Sequence, residues 1–174
     1  MSQTYIVSGG TGFLGFYICN KLISDGHKLI FVGRSFGKKK FPDRIRETFG
    51  MNDNILGSIE FDLTNANVQV LHDGIANITN NKIDGIWHMA ANLSFRESDR
   101  ANILSVNVIG TRNIISLANH IDCPLFHIST AYVHGNNQGV FYERYHDRPM
   151  RFNNPYEESK FLGELVVYEQ YSSR

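Results

Sequence analysis

The segment 8–15 reads SGGTGFLG and places Gly9, Gly12 and Gly15 directly after the apolar run Tyr5-Ile6-Val7. Glycine costs conformational entropy on folding, so a cluster of it indicates that the backbone must turn sharply or be approached closely. A long apolar stretch at helical spacing follows. We therefore predict a strand, a glycine turn and a helix, in this order.

The rest of the chain repeats this alternation of short apolar runs and longer stretches with helical spacing. We predict strands at Tyr5–Ser8, His27–Gly33, Ser58–Phe61, Ile83–Ala90 and Leu125–Ser129. We predict helices at Gly12–Ser24, Pro42–Phe49, 64–80, Ser98–His120 and Pro155–Tyr171, with an irregular polar loop over 135–153. Such alternation implies right-handed crossovers and an α/β fold with a doubly wound parallel sheet. Its strand order should start 3-2-1-4-5, with helices covering both faces.

The apolar positions of two helices indicate the faces that they bury. In the helix over 64–80, apolar side chains recur at helical spacing at Val68, Leu71, Ile75 and Ile78. In the helix Gly12–Ser24, the side chains available for the core side are Phe13, Phe16, Tyr17 and Leu22.

Composition limits the class of protein. The 174 residues are 42% hydrophobic and fit one domain over 1–174. No apolar run is long enough to cross a membrane, and no basic region precedes an apolar segment at the start, so we expect neither a membrane anchor nor a signal peptide. Seventeen Lys and Arg balance seventeen Asp and Glu, which argues against a nucleic-acid partner. Two cysteines without metal-ligand spacing, Cys19 and Cys123, favour a reduced cytoplasmic protein without a metal.

The setting of the glycines, between a strand and a helix, is typical of dinucleotide binding in a Rossmann fold. Gly9 permits the turn, Gly12 lets the backbone meet a pyrophosphate, and Gly15 lets the helix pack closely on the sheet. The helix start offers free N–H groups to the phosphates. A glycine-rich loop without a ligand is the alternative interpretation. The cofactor contacts predicted in this segment are Gly9, Thr11, Gly12, Phe13, Leu14 and Gly15.

The end of the second predicted strand bears on the choice of dinucleotide. An acidic residue there would bind the ribose hydroxyls of NAD, whereas this chain has Arg34 and Ser35, followed by the lysines 38–40. A guanidinium and a hydroxyl suit a 2′-phosphate, and we expect no carboxylate to be present there to repel it. We therefore predict NADP(H), with NAD(H) second. A solvated basic loop is the alternative, and it is the interpretation we adopt for the lysines.

Tyr156 and Lys160 lie four residues apart, so they share one face of the last predicted helix. A nearby ammonium lowers the pKa of a phenol and brings it towards the range useful for acid–base catalysis. Ser129 and Thr130 place hydroxyls where the fifth predicted strand ends, at the sheet edge that binds ligands in open α/β folds. The Tyr-x-x-x-Lys spacing alone is common on surface helices. Together with the glycines and the hydroxyls, it predicts a catalytic group.

At this point the sequence resembles the extended short-chain dehydrogenase/reductases over nearly its whole length. The shared motifs are Gly9-x-x-Gly12-x-x-Gly15, Asp62-Leu63-Thr64, His88-Met-Ala-Ala91, Asn107-Val-x-Gly110-Thr111, Ser129-Thr130 and Tyr156-x-x-x-Lys160. The resemblance implies that Asp62 and Leu63 flank the adenine and that Ala90 and Ala91 lie along the cofactor. It implies Thr130, Tyr156 and Lys160 as the catalytic group, with Ser129 as the alternative hydroxyl. Tyr156 and Lys160 are also predicted cofactor contacts, with Lys160 at the nicotinamide ribose. Asn107, also predicted at the cofactor site, is more often structural in this branch. His88 is interpreted as a packed residue without a chemical role.

Within this branch, the segments HMAANLSF, ISTAYVHG and NNPYEESKFLGE are most similar to the fatty acyl-CoA reductase and thioester-reductase group. The resemblance implies a small-molecule substrate, an acyl thioester reduced to an aldehyde or alcohol between Thr130 and Tyr156. Loop 135–153 would then form one wall of an acyl-chain site with the side chains of Phe141, Tyr142, Tyr145 and Met150. A nucleotide-sugar epimerase or dehydratase and a non-catalytic NADP-binding module are the alternatives.

Members of the extended branch continue well beyond the Tyr-Lys helix into a smaller substrate-binding domain, whereas this sequence ends at Arg174. We therefore expect a cofactor-binding domain that lacks the substrate domain. Enzymatic activity is expected of a full-length parent and is left open for this chain. An apolar surface where the second domain would pack should be exposed, which favours a homo-oligomer.

Overall fold

A computed structural model describes residues 1–142 and 151–172. Its strands are β1 Thr4–Ser8, β2 Lys28–Gly33, β3 Ile55–Glu60, β4 Gly85–His88 and β5 Leu125–His127. Its α-helices are α1 Phe13–Ser24, α2 Phe41–Phe49, α3 Val68–Ile78, α4 Arg100–Leu104, α5 Gly110–Ile121 and α6 Pro155–Ser172. Single turns of 3₁₀-helix lie at Glu97–Asp99 and Ala131–His134, and a π-helical turn lies at Ser105–Ile109.

The five strands form one parallel sheet in the order β3-β2-β1-β4-β5. This confirms the predicted topology. β1 and β4 are neighbours although three helices and two strands separate them in the chain. The strand order therefore reverses between them, where open α/β sheets bind their ligands. Ser8 and His88 end these two strands in register, and their buried side chains form a hydrogen bond of 2.6 Å between Ser8 Oγ and His88 Nδ1.

Apolar side chains cover both faces of the sheet. On one face, Ile6, Ile30 and Ile86 pack with Leu71 of α3 and Leu117 of α5. On the other face, the cluster consists of Tyr5, Val7, Leu29, Phe31, Cys19 of α1, and Phe41 and Ile45 of α2. Alternate residues of β1 and β2 thus face opposite layers, which is the pattern of a sheet buried on both sides.

The first helix buries a different face from the predicted one. Phe13 is 85% exposed and Tyr17 is 60% exposed, and Phe16 is also exposed, whereas the residues of α1 that are buried are Gly15 and Cys19. Only Leu22 of the predicted set packs against the core. Small residues one turn apart let the helix backbone approach the sheet closely, and that contact turns the large aromatic side chains outward.

Several boundaries also differ from the prediction. β3 begins at Ile55, because its pairing with β2 extends to Leu29 through an irregularity in register. β5 ends at His127, and the long helix predicted at Ser98–His120 is interrupted by the π-helical turn. Tyr145 and Met150, which were expected to wall an acyl chain, lie outside the described residues.

The chain divides into two compact units. The sheet unit consists of Met1–Ala90 and Asn113–Ile128, and it contains all five strands. The helical unit consists of Ala91–Arg112 and Ser129–Arg174, and it contains α4, the π-helical turn and α6. The predicted glycine loop belongs to the sheet unit, whereas Thr130, Tyr156 and Lys160 belong to the helical unit.

Candidate active site

The glycine loop that follows β1 can be formed only with glycine at two of its positions. Gly9 has φ +79°, and a Cβ there would lie 2.4 Å from the backbone nitrogen of Ala90. A Cβ at Gly15 would lie 2.3 Å from the carbonyl oxygen of Gly9. The loop is closed by a hydrogen bond of 3.0 Å from Gly12 N–H to that same oxygen. The structure therefore brings the predicted glycines and Ala90 together at the carboxyl ends of β1 and β4.

The open side of this loop fits a pyrophosphate. Gly12 is exposed, and a Cβ there would meet only Gly9 O, at 3.3 Å. The first helical hydrogen bond of α1 runs from Phe16 N–H to Gly12 O at 2.9 Å, so the N–H groups of Phe13, Leu14 and Gly15 precede it without partners in the helix. Unpaired N–H groups and the positive end of the helix dipole form an anion site.

The end of β2 differs from its prediction in its charges. Arg34 forms an ion pair of 3.3 Å with Asp62, and both side chains are largely exposed. The N–H of Ser35 donates to Glu60 Oε1 at 3.1 Å, and the Ser35 hydroxyl accepts from Phe41 N–H, the first residue of α2, at 3.0 Å. The expectation that no carboxylate adjoins these residues is therefore wrong. Pairing of β2 with β3 in parallel register brings the two carboxylates beside them.

These contacts affect the ionisation of both carboxylates. The pKa of Glu60 is lowered, chiefly by its hydrogen bonds with Ser35. The pKa of Asp62 is lowered first by the N–H of Thr64, and its Oδ1 accepts from Thr64 N at 2.9 Å. Both acids therefore stay negatively charged beside Arg34 and Ser35 at neutral pH.

Leu63, the next predicted adenine contact, is buried, and its carbonyl accepts from Asn113 Nδ2 at 2.7 Å.

Arg44 is a residue that sequence reasoning missed. From the second turn of α2, its Nη2 donates to Thr11 Oγ1 at 2.8 Å and its Nη1 donates to the carbonyl of Arg34 at 2.7 Å. The guanidinium thus links the glycine loop to the end of β2. No local pattern marks it, because its partner Thr11 lies 33 residues away.

In the helical unit, the structure brings Thr130 and Tyr156 together. The side chain of Thr130 hydrogen-bonds to the phenol of Tyr156, and Thr130 Oγ1 also accepts from Tyr132 N–H at 3.3 Å. Lys160 follows Tyr156 by one turn of α6 and is 5% exposed. Ser129, the alternative hydroxyl, has a buried oxygen that finds no hydrogen-bond partner among the described residues. Of the two predicted hydroxyls, Thr130 is therefore the one that contacts Tyr156.

The pKa of the phenol shifts in the direction opposite to the expectation. Burial raises the pKa of Tyr156, and the hydrogen bond from Thr130 offsets part of that shift. Burial lowers the pKa of Lys160 to about 8, while Glu164 opposes the change. Desolvation disfavours the charged form of both groups, so both shifts have one physical cause.

Asn107 joins three parts of the helical unit through its buried amide. Its Oδ1 accepts from Asn92 N at 2.7 Å, and its Nδ2 donates to Asn92 O at 2.9 Å and to Ser159 Oγ at 2.8 Å. Asn92 directly follows the half-buried Ala91. These bonds hold the segment at Asn92, the π-helical turn and α6 together. The π-helical turn presents this side chain, as π-bulges often do at functional sites.

A capping box at the start of α6 holds Tyr156 in place. Glu157 N–H donates to Asn154 Oδ1 at 3.0 Å, and the buried Glu157 carboxylate accepts from Asn153 N–H and from the amides of Asn153 and Asn154. This arrangement satisfies N–H groups at the helix start from both directions. The spacing of Asn154 and Glu157 in the sequence is the signal that could have identified it.

The described residues also bear on metal binding and on membrane insertion. Within residues 1–142 and 151–172, no three His, Cys, Asp or Glu side chains are arranged to hold a metal ion. Over the same residues, none of the helices is both long and apolar enough to cross a membrane.

Comparison with known proteins identifies the family of the chain. A family model described as "Male sterility protein", an NAD-binding family of the extended short-chain dehydrogenase/reductase type, matches residues 7–174. The chain belongs to this family.

Individual relatives are more distant. The chain is 25% identical over 169 residues to UDP-glucuronic acid decarboxylase 1 of Xenopus tropicalis, which covers 94% of the chain and 36% of the relative. It is 25% identical over 146 residues to UDP-N-acetyl-alpha-D-glucosaminuronate decarboxylase of Bacillus cytotoxicus, which covers 82% of the chain and 41% of the relative. The chain thus spans well under half the length of these relatives.

One solved structure shows the same fold at low identity. UDP-glucuronic acid 4-epimerase from Bacillus cereus, in complex with NAD, matches with a TM-score of 0.74 and 21% identity. The match covers 98% of this chain and 53% of the epimerase chain. At this level of identity, the match establishes the fold alone.

Proposed function

We propose that this chain is the dinucleotide-binding and acid–base part of an NAD(P)-dependent oxidoreductase that acts on a nucleotide-linked sugar. The single observation that carries the proposal is the hydrogen bond between Thr130 and the Tyr156 phenol, one helical turn before the buried Lys160. Hydroxyl groups paired in this way can deliver or remove a proton at a substrate oxygen. The activity is proposed for the whole polypeptide that contains this chain.

The residues of the helical unit have separable roles in this chemistry. Tyr156 accepts the proton of a sugar hydroxyl as it is oxidised, and returns the proton when the carbonyl is reduced. Thr130 hydrogen-bonds to the same oxygen and stabilises the charge that grows there. A protonated Lys160 favours the phenolate of Tyr156 and so lowers its pKa once a substrate excludes water. A bound nicotinamide supplies the hydride acceptor and donor.

The class of substrate follows from the relatives. The two curated relatives described above are named as decarboxylases of UDP-linked uronic acids, and the epimerase acts on UDP-glucuronic acid. These names support a nucleotide-sugar substrate, the alternative given in the sequence analysis, more strongly than they support an acyl thioester. We therefore place a nucleotide sugar first among the substrates.

We also propose that the cofactor is NADP(H) in preference to NAD(H). Arg34 and Ser35 occupy the end of β2, where an acidic residue would select the unphosphorylated ribose. Asp62 accepts from the Arg34 guanidinium, and Glu60 accepts from the Ser35 N–H. Part of the positive charge that a 2′-phosphate needs must therefore come from another residue.

A second candidate, reduction of an acyl thioester, is favoured by one observation. Phe95 is 56% exposed and packs against the Tyr156 ring with centroids 5.5 Å apart, and Leu93 beside it is 67% exposed. An exposed apolar surface next to the phenol suits an acyl chain. The motifs shared with the fatty acyl-CoA reductase group support the same substrate.

The test compares both substrate classes on the intact protein that carries this chain. UDP-glucuronic acid with the oxidised cofactor, and an acyl-CoA with the reduced cofactor, are each incubated while the absorbance of the reduced nicotinamide is followed. We expect conversion of the nucleotide sugar, which chromatography of the product would show even when the cofactor is recycled. Net oxidation of the cofactor by acyl-CoA alone would favour the second candidate. Conversion of neither substrate class would contradict both.

A further inference from the structure

Arg44 places a positive charge between the two segments that border the adenosine end of a dinucleotide in this fold. It links Thr11 of the glycine loop, at 2.8 Å, to the Arg34 carbonyl at the end of β2, at 2.7 Å. Two bonds from one guanidinium hold its plane in a defined orientation. The side chain is half-buried, so it is both anchored and reachable from solvent.

The charges around Arg44 distinguish it from the neighbouring cations. Arg34 faces Asp62, Lys39 faces Glu47, and Arg46 faces Asp43 at 3.7 Å. The hydrogen-bond acceptors of Arg44 are a hydroxyl and a carbonyl, and across residues 1–142 and 151–172 no carboxylate pairs with it. Its charge is therefore less compensated than that of Arg34.

The unused donors of Arg44 match a phosphate. A guanidinium carries five N–H donors, and two of them are used in the bonds to Thr11 and Arg34. Three donors remain for phosphate oxygens, which arginine recognises with two parallel hydrogen bonds. Because the anchoring bonds exist before a ligand arrives, little further ordering of the side chain is needed on binding.

We propose that Arg44 selects the 2′-phosphate of NADP(H), and that Arg34 has the smaller part in this selection. The inference rests on the proposed function, since it assumes that the glycine loop binds a dinucleotide. It adds a residue ten positions further along the chain, on α2, to the cofactor site.

The test measures dissociation constants of NADPH and NADH by calorimetry on the wild type, Arg44→Gln, Arg34→Gln and the control Arg46→Gln. Arg46 lies two residues along the same helix and is exposed. We expect Arg44→Gln to weaken NADPH by roughly tenfold to a hundredfold, the effect of losing one charged hydrogen-bonding partner, and to leave NADH unchanged. Arg34→Gln should have a smaller effect on NADPH, and Arg46→Gln should change neither constant.

Small probes separate the phosphate contact from the rest of the cofactor. Adenosine 2′,5′-bisphosphate should lose affinity for Arg44→Gln, whereas adenosine 5′-monophosphate should not. Arg44→Lys keeps the charge and should retain part of the preference for the bisphosphate. Circular dichroism of each variant verifies that it is folded before titration.

The outcomes that overturn the inference differ from those that overturn the proposed function. An unchanged NADPH to NADH ratio in folded Arg44→Gln contradicts the inference while dinucleotide binding stands. An equal weakening of both cofactors also contradicts it, because Arg44 would then only support the glycine loop. A wild type that binds neither dinucleotide contradicts the proposed function, and the inference falls with it.

Discussion

The amide of Asn107 donates to the hydroxyl of Ser159 at 2.8 Å, and so ties the π-helical turn to α6 three residues after Tyr156. Asn107 is 2% exposed and Ser159 is fully buried. The position of the candidate acid–base residue therefore depends on a polar network inside the helical unit. Such a network is stabilising only while every member keeps its partners.

Replacing Asn107 with Ala should destabilise the protein by about 1–3 kcal/mol, because the buried Ser159 hydroxyl and the half-buried N–H and C=O of Asn92 lose their partners. Denaturant unfolding measures this change. Asn102→Ala is the control, since Asn102 is exposed and its amide donates to Asp99 at 3.1 Å. Equal stability of the two variants would contradict the structural role of Asn107.

Replacing Tyr156 with Phe should lower turnover of the intact protein by about 10²–10⁴, because the ring is kept and the proton-transferring hydroxyl is lost. Dinucleotide affinity should change little, since the glycine loop is untouched. Steady-state kinetics and a cofactor titration measure the two effects. Tyr168→Phe, on the exposed side of the same helix, is the matched control. Normal turnover in Tyr156→Phe would show that the motif has no catalytic role.

Replacing Lys160 with Met should reveal the cost of a buried ammonium. Burial lowers the pKa of Lys160 from 10.5 to about 8. Below pH 8, Lys160 is protonated in both the folded and the unfolded chain, so the folded chain bears the full desolvation cost of the buried charge. Between pH 8 and pH 10.5, Lys160 is deprotonated in the folded chain while it is still protonated in the unfolded chain. The free energy of unfolding of the wild type therefore rises relative to that of Lys160→Met, by about 3 kcal/mol in total.

Denaturant unfolding on either side of that pH window measures the gain. Groups shared by both proteins cancel in the difference between them. Lys82→Met is the control, because Lys82 is exposed. A stability difference that does not vary with pH would show that burial of Lys160 does not perturb its protonation.

Replacing Gly9 with Ala should cost about 1–3 kcal/mol more than replacing Gly26, judged by thermal unfolding. Both glycines have positive φ, +79° and +81°, so both variants carry the same backbone strain. A Cβ at Gly26 would meet nothing within 4 Å, whereas one at Gly9 would strike the Ala90 backbone. Equal costs would mean that the loop can move away from β4.

Replacing Gly12 with Ala should leave folding intact and weaken dinucleotide binding by about tenfold, equivalent to the loss of one hydrogen bond. Its φ of −78° suits alanine, and the new methyl group would project towards the open side of the loop. Calorimetry measures the affinity, with Asn20→Ala, near the other end of α1, as the control. Unchanged affinity would show that no ligand approaches this backbone.

Local patterns were enough to predict the sheet and the first elements of the site. Alternation of strands and helices led to the order 3-2-1-4-5, and helical spacing identified the buried Leu71 and Ile75 of α3. The glycine loop was predicted because backbone freedom is a property of the residue itself. Thr130 and Tyr156 were predicted from their order along the chain, and the structure joins them.

Tertiary structure decided which helix face is buried and which charged side chains meet. α1 buries Gly15 and Cys19 instead of its aromatic residues. The face that a helix buries depends on how closely its backbone packs on the sheet, and the sheet is formed by other segments of the chain. Glu60 and Asp62 reach Ser35 and Arg34 because the register of β3 with β2 sets Glu60 opposite Gly33. Arg44 reaches Thr11 across 33 residues.

Sequence spacing by itself determined which residues share a helix face or follow a strand, because these relations arise from backbone geometry within a few residues. It could not determine which charged groups meet, or the direction in which burial shifts the pKa of Tyr156. Both depend on the packing of segments far apart in the chain, and on the water that this packing excludes.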